Sequence, residues 1–159
     1  MRRMLFTGLM AAVASLLSGA SCHGDMTTEV NFLKLETIVQ QSNPGQAGGT
    51  VREVVKDQAA WSALWAELRK GSGLPEEPPA VDFAREMVIV AAMETQSCVS
   101  RVTVKSAGDT GGELVVDILE EPPAPNCVCI TAERPIHVVR LRRADAPPHF
   151  AVQRGQTNC

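Results

Sequence analysis

The feature that most limits this chain is its first stretch. Arg2 and Arg3 lead into a fourteen-residue apolar run at 4–17, closed by the small residues Ser18, Gly19, Ala20 and Ser21. A basic start, a short apolar core and a small-residue close predict a secretory signal peptide over residues 1–21. Fourteen residues fall short of the roughly 20 that span a bilayer, and no later run approaches that length. Removing 21 of 159 residues leaves 138, enough for one domain with a core and too few for two ordinary ones. The expected organisation is a signal peptide at 1–21, a tether at 22–28 and a single domain at 29–159.

Two cleavage readings compete. Ser18-Gly19-Ala20 fits ordinary small-x-small cleavage after Ala20. Gly19-Ala20-Ser21-Cys22 instead matches a bacterial lipidation box, with Gly19 where a large aliphatic residue is usual. We take Cys22 as the expected lipidation site, because a cysteine so placed has no other evident use. Several acyl chains on one cysteine give stable anchoring. His23 follows where an Asp would signal inner-membrane retention, so the expected location is the cell envelope, anchored to the outer membrane.

The expected mature chain has 13 basic and 18 acidic residues, a net of −5. Such a balance, with no basic run, argues against nucleic acid. Two Trp, four Phe and no Tyr are too few for both a core and a stacking platform for sugars or bases.

Along the domain, residues 29–41 carry β-branched residues at mixed spacing and read as a strand, with Phe32, Leu33 and Leu35 fitting neither period. A turn-rich loop at 43–50 precedes a strand at 51–56. Asp57 is placed to cap a helix whose face is Trp61, Leu64, Trp65 and Leu68, at i, i+3, i+4 and i+7. Gly71 is expected to end it, with Arg69 and Lys70 in its last turn. The two Trp are expected to pack against a sheet. A proline-laden connector follows at 73–80. The apolar run 87–93 predicts a central strand buried on both faces. Strands at 99–105 and 113–120 flank a Gly-rich loop at 108–112 and predict a hairpin. After a second proline-rich connector at 121–126, further strands are expected at 127–133, 136–142 and 150–153. The whole predicts an α+β domain: a mostly antiparallel sheet of about seven strands with one main helix packed on it.

Sites of chemistry are sparse. His137 and His149 are the only histidines beyond the tether, and Ser97 and Ser100 have no evident base. His137 shares a strand face with Val139 and Leu141, which predicts a hydrogen-bonded structural histidine. Cys127 and Cys129 lie too close together for familiar zinc spacing. In an oxidising envelope Cys98, Cys127, Cys129 and Cys159 are disulfide candidates, with Cys98–Cys127 and Cys129–Cys159 the expected pairs. Glu76-Glu77 and Glu120-Glu121 read as solvated connector glutamates, and Arg140, Arg142 and Arg143 as a solvated strand edge. No catalytic residue, metal site or cofactor is expected.

Residues 81–90 (VDFAREMVIV) resemble the opening of the PrcB-like C-terminal domain of the protease complex subunit PrcB family. The WSALW helix at 61–65 is similar to the one that commonly precedes it, and TAERPIHVV at 131–139 to its closing strand. The likeness covers most of residues 50–152. One departure is Gln96-Ser97-Cys98-Val99-Ser100, where the family often has Gly-Gly-Tyr. The resemblance implies a non-catalytic envelope domain that binds and stabilises another secreted protein such as a protease. The competing function is a small-ligand or metal binder, or a hydrolase, using His137, His149 and the cysteines.

Overall fold

Every residue of the 86–92 stretch except Glu86 is buried, and its side chains serve two separate cores. The computed structural model describes residues 30–44, 47–96 and 98–158. The signal segment 1–21, Cys22, the tether 22–28, Ser97 and Cys159 lie outside the described residues. In chain order the elements are β1 (Asn31–Phe32), β2 (Glu36–Pro44), β3 (Val51–Val55), α1 (Gln58–Leu68), β4 (Glu86–Ala92), β5 (Arg101–Asp109), β6 (Leu114–Glu121), β7 (Glu133–Arg142) and β8 (Pro148–Arg154).

Among the described residues the fold is mostly β with one helix, as expected in outline. The expected single sheet is two four-stranded sheets, ordered β1-β5-β6-β8 and β2-β7-β4-β3. All pairings are antiparallel except β6 with β8. Successive side chains of a strand point to opposite faces. On one face of the β2-β7-β4-β3 sheet, Met87, Ile89, Ala91, Val139 and Leu141 meet Val102, Val104, Leu114, Val116 and Ile118 of the other sheet. On its opposite face Val88, Val90, Ala92, Ile136 and Val138 meet Trp61, Trp65 and Leu68 of α1. The result is three layers, with β4 and β7 in the middle one. Each fully buried large side chain in these cores contributes about 1.5–3 kcal/mol relative to exposure.

Asp57 caps α1 as read, its Oδ1 accepting from the Ala60 amide at 2.8 Å. The helix closes earlier than expected. Leu68 is its last residue and Arg69 the C-cap, so neither Arg69 nor Lys70 lies in the last turn. Gly71 follows with φ 67°, a left-handed conformation that glycine adopts without strain. The mixed spacing at 29–41 also has an explanation. The chain leaves the first sheet after Phe32 and enters the second at Glu36, with Leu33 buried between the sheets. A segment that changes sheets cannot keep one period.

Candidate functional site

The site is built at the end of β6, where the second proline-rich connector leaves the sheet. Residues 127–132 were expected to begin a strand; they form a loop, and β7 starts only at Glu133. Prolines at 122, 123 and 125 remove amide donors and disfavour a ladder there. Consequently the alternating apolar residues find no partner sheet: Val128 is 94% exposed and Ile130 fully exposed. Val99, at 59%, adds to the apolar surface at this end of the molecule.

The loop is held at several points. Thr157 donates its amide to the Pro122 carbonyl at 3.0 Å, and its hydroxyl to the Val99 carbonyl at 2.6 Å. The Cys127 amide donates to the Ala124 carbonyl, closing a turn. Glu133 and Gln96 exchange two backbone hydrogen bonds, at 2.7 and 2.8 Å, in an isolated antiparallel bridge. The Glu133 carboxylate also accepts from the Ser42 hydroxyl at 2.7 Å.

The bridge at Gln96 and Glu133 holds the two segments together, and beyond it Cys98 is bonded to Cys129. The expected Cys98–Cys127 pairing is therefore wrong, as is Cys129–Cys159. Its premise was that the connector delivers Cys127 to the sheet end, whereas Cys127 is turned back on Ala124. Cys127 is itself disulfide-bonded, and Cys159 lies outside the described residues.

The other expected residues are dispersed. His137 is buried on β7 and bridges the two sheets. Its Nδ1 accepts from the Val104 amide at 2.8 Å, and Thr37 Oγ1 lies 3.1 Å from Nε2. An amide donor fixes Nδ1 as unprotonated, so the neutral ring carries its proton on Nε2 and donates it to Thr37. Burial pushes the His137 pKa below its ordinary value of 6.5. The structural reading of this histidine holds. His149 sits on β8, mostly exposed, with Glu113 3.7 Å away. Both ring nitrogens of His137 are engaged within the fold, so the two histidines do not share a site. Among the described residues no group of three or more His, Cys, Asp or Glu is placed to hold a metal ion.

Two readings of charged residues need correction. Glu120 is no solvated connector residue: it is buried on β6 and takes a 2.5 Å ion pair from Arg52 of β3, joining the two sheets. Glu121 approaches Arg101 at 3.9 Å. Nor do Arg140, Arg142 and Arg143 guard an edge, since β7 lies inside its sheet. Arg140 sits between Glu36 at 2.6 Å and Glu86 at 3.5 Å, and its hydrogen bond holds the Glu36 carboxyl below the usual range. Arg143 donates to the Lys56 and Phe83 carbonyls, binding a turn to the end of β3. Arg142 is exposed, and Glu76 and Glu77 are exposed as expected.

The reading of the residues missed Val128 and Ile130 as surface groups because their alternation imitates a strand. The signal against a strand was present in the three prolines upstream. It also missed Arg134, whose buried guanidinium donates to the Gly49 carbonyl at 2.8 Å and leaves no space for a side chain at Gly48. The two connectors differ as binding surfaces. That at 73–80 is engaged by its own helix, the Pro79 and Pro75 carbonyls accepting from the Trp61 and Trp65 indoles at 3.0 Å each.

Comparison of the chain with protein-family models, with curated proteins and with solved structures found no match.

Proposed function

We propose that this is an exported envelope lipoprotein, anchored through Cys22, whose domain acts by binding another secreted protein and not by catalysis. The observation that carries the reading is the loop at 127–132. Large apolar side chains at full exposure are costly to keep in water, and here they are presented on a pinned scaffold. Pinning lowers the entropy lost on docking. An expected net charge of −5 favours a partner with a basic surface, chiefly through association rate. The resemblance to PrcB-like domains supports a protease as the partner.

The test is affinity purification of the tagged, mature protein from its own envelope, beside a Val128→Ser/Ile130→Ser variant. One secreted protein should be retained by the wild type and lost with the variant. Equal retention would move the contact elsewhere. Substrate turnover by the purified protein, abolished by His137→Ala or His149→Ala, would replace binding by catalysis.

A further inference from the structure

We propose that a cleft between the two sheets, at the start of β5, binds the C-terminal end of an extended peptide through its carboxylate. The inference goes beyond the protein-binding reading above and does not use the 127–132 loop.

The cleft is a cavity of about 560 Å³, with β2 and β7 on one side and residues 99–103 on the other. Cavities of roughly 300–1,000 Å³ are the size that holds small ligands. Two side chains stitch the sheets beside it. Gln40 Nε2 donates to Thr103 Oγ1 at 3.3 Å, and His137 Nδ1 accepts from the Val104 amide.

Three observations say what the cleft would hold. First, Ser100 lines it, is 5% exposed, and has a hydroxyl that meets no partner. Among the described residues the other buried side-chain polar atom without a hydrogen bond is Arg140 Nε, and that atom has Glu86 at 3.5 Å. Ser100 Oγ has no comparable contact. A buried hydroxyl left unpaired costs stability, and a ligand that bonds it offsets that cost.

Second, the free hydrogen-bonding capacity of the lining has a definite sense. Gln40 and Gln41 donate their amide N–H groups to Thr103 and Asn43, which leaves their side-chain oxygens as acceptors. No carboxylate lines the cleft, although the chain has 18 acidic residues. Its one lining cation, Arg101, has a side chain 63% exposed and reaches Glu121 only at 3.9 Å. A guanidinium so loosely paired takes a carboxylate, and amide oxygens take N–H donors. The end of a peptide offers both, a carboxylate with backbone N–H groups beside it. The same lining disfavours an amine or a metal ion.

Third, the strands here lack neighbours. β2 ends its sheet. β1 pairs with β5 only at Gly108 and Asp109, with one further bond from Leu33 to Ala107. The start of β5 is therefore unpaired on that side among the described residues. Unpaired strand edges take up extended chains by backbone hydrogen bonds, which favours a peptide over a compact acid. Val99, Pro135 and Ile136 supply apolar lining for its side chains.

The probe is N-acetyl-Ala-Ala-Val with a free carboxylate, titrated into the nitrogen-15-labelled mature protein with its disulfides intact. Amide signals of Gln40, Gln41, Ser42 and Ser100 to Thr103 should shift and saturate. The same peptide with a C-terminal amide should bind at least about tenfold more weakly, having lost a charge-assisted contact. Arg101→Gln, at an exposed side chain, should weaken the carboxylate peptide to the same extent. Gln40→Glu, which places an acid in the lining, should also weaken it, and both variants should keep the wild-type unfolding midpoint. Ser100→Ala should weaken binding while leaving that midpoint unchanged or raised, because the hydroxyl is unpaired in the free protein. The inference is overturned if the shifts do not saturate or fall elsewhere, if the amidated peptide binds equally well, or if Arg101→Gln binds as the wild type does. A Ser100→Ala variant with a lowered midpoint would overturn it, since the hydroxyl would then be satisfied within the fold. Sodium acetate binding as tightly as the peptide would also overturn it, in favour of a site for small acids.

Discussion

Two proline-rich connectors lead into the same sheet, at β4 and at β7, and end in opposite circumstances. The segment at 73–80 lies over α1 and spends its carbonyls on Trp61 and Trp65, both almost wholly buried. In the segment at 121–132, Val128 and Ile130 are left in water. Proline content does not separate them. The first faces a helix whose indole N–H groups require acceptors, because a buried unpaired donor is costly. The second runs past the last rung of β6 and is held from the side by a bridge, a turn, the Thr157 contacts and disulfide bonding at Cys127 and Cys129. One connector completes the core, and the other is anchored so that it stays outside.

The comparison would break most visibly at the helix. Trp65→Ala removes a fully buried indole and orphans the Pro75 contact, so about 3–5 kcal/mol of stability should be lost in chemical denaturation. A loss under about 1 kcal/mol would mean that the 73–80 segment does not depend on its tryptophans. Next, the Cys98→Ser/Cys129→Ser variant opens a link between residues 31 apart. It should cost about 2–4 kcal/mol, chiefly through the unfolded chain, and should free the 127–132 loop to proteolysis while leaving α1 protected in hydrogen exchange.

His137→Ala leaves the buried Val104 amide without its acceptor and should cost about 1–3 kcal/mol. The same residue sets a pH dependence. Its pKa is lowered in the fold, so between the folded value and 6.5 the unfolded chain binds more protons than the native one. Its contribution to stability is complete above 6.5 and declines as pH falls below it, levelling once the folded ring is also protonated. Denaturant midpoints of wild type and His137→Ala should converge as pH falls through that window. Smallest of all, Val128→Ser/Ile130→Ser should change stability by no more than about 0.5 kcal/mol, as surface replacements do. A larger loss would show that the loop is part of the core.

Much of the local structure was legible in the residues. Asp57 and the i, i+3, i+4, i+7 spacing of Trp61, Leu64, Trp65 and Leu68 mark the helix. The uninterrupted 87–93 run marks a strand covered on both sides, and the glycines at 111 and 112 mark a hairpin, although Gly108, expected in its loop, lies in β5 opposite Val115. The structural role of His137 followed from its neighbours Val139 and Leu141. The site was far less legible. Cys127, Val128, Cys129 and Ile130 imitate a strand in spacing, but prolines precede them and among the described residues no strand pairs with them.

What the sequence determined by itself is which faces are apolar, because side-chain periodicity is a local property of helix and strand. The tertiary structure alone decided what each face meets. It split one expected sheet into two, moved Glu120 from solvent into a buried pair with Arg52, and placed Cys98 beside Cys129 and not Cys127. These outcomes depend on register between segments distant in sequence. An antiparallel bridge such as Gln96 with Glu133 sets that register, and no spacing within either segment encodes it.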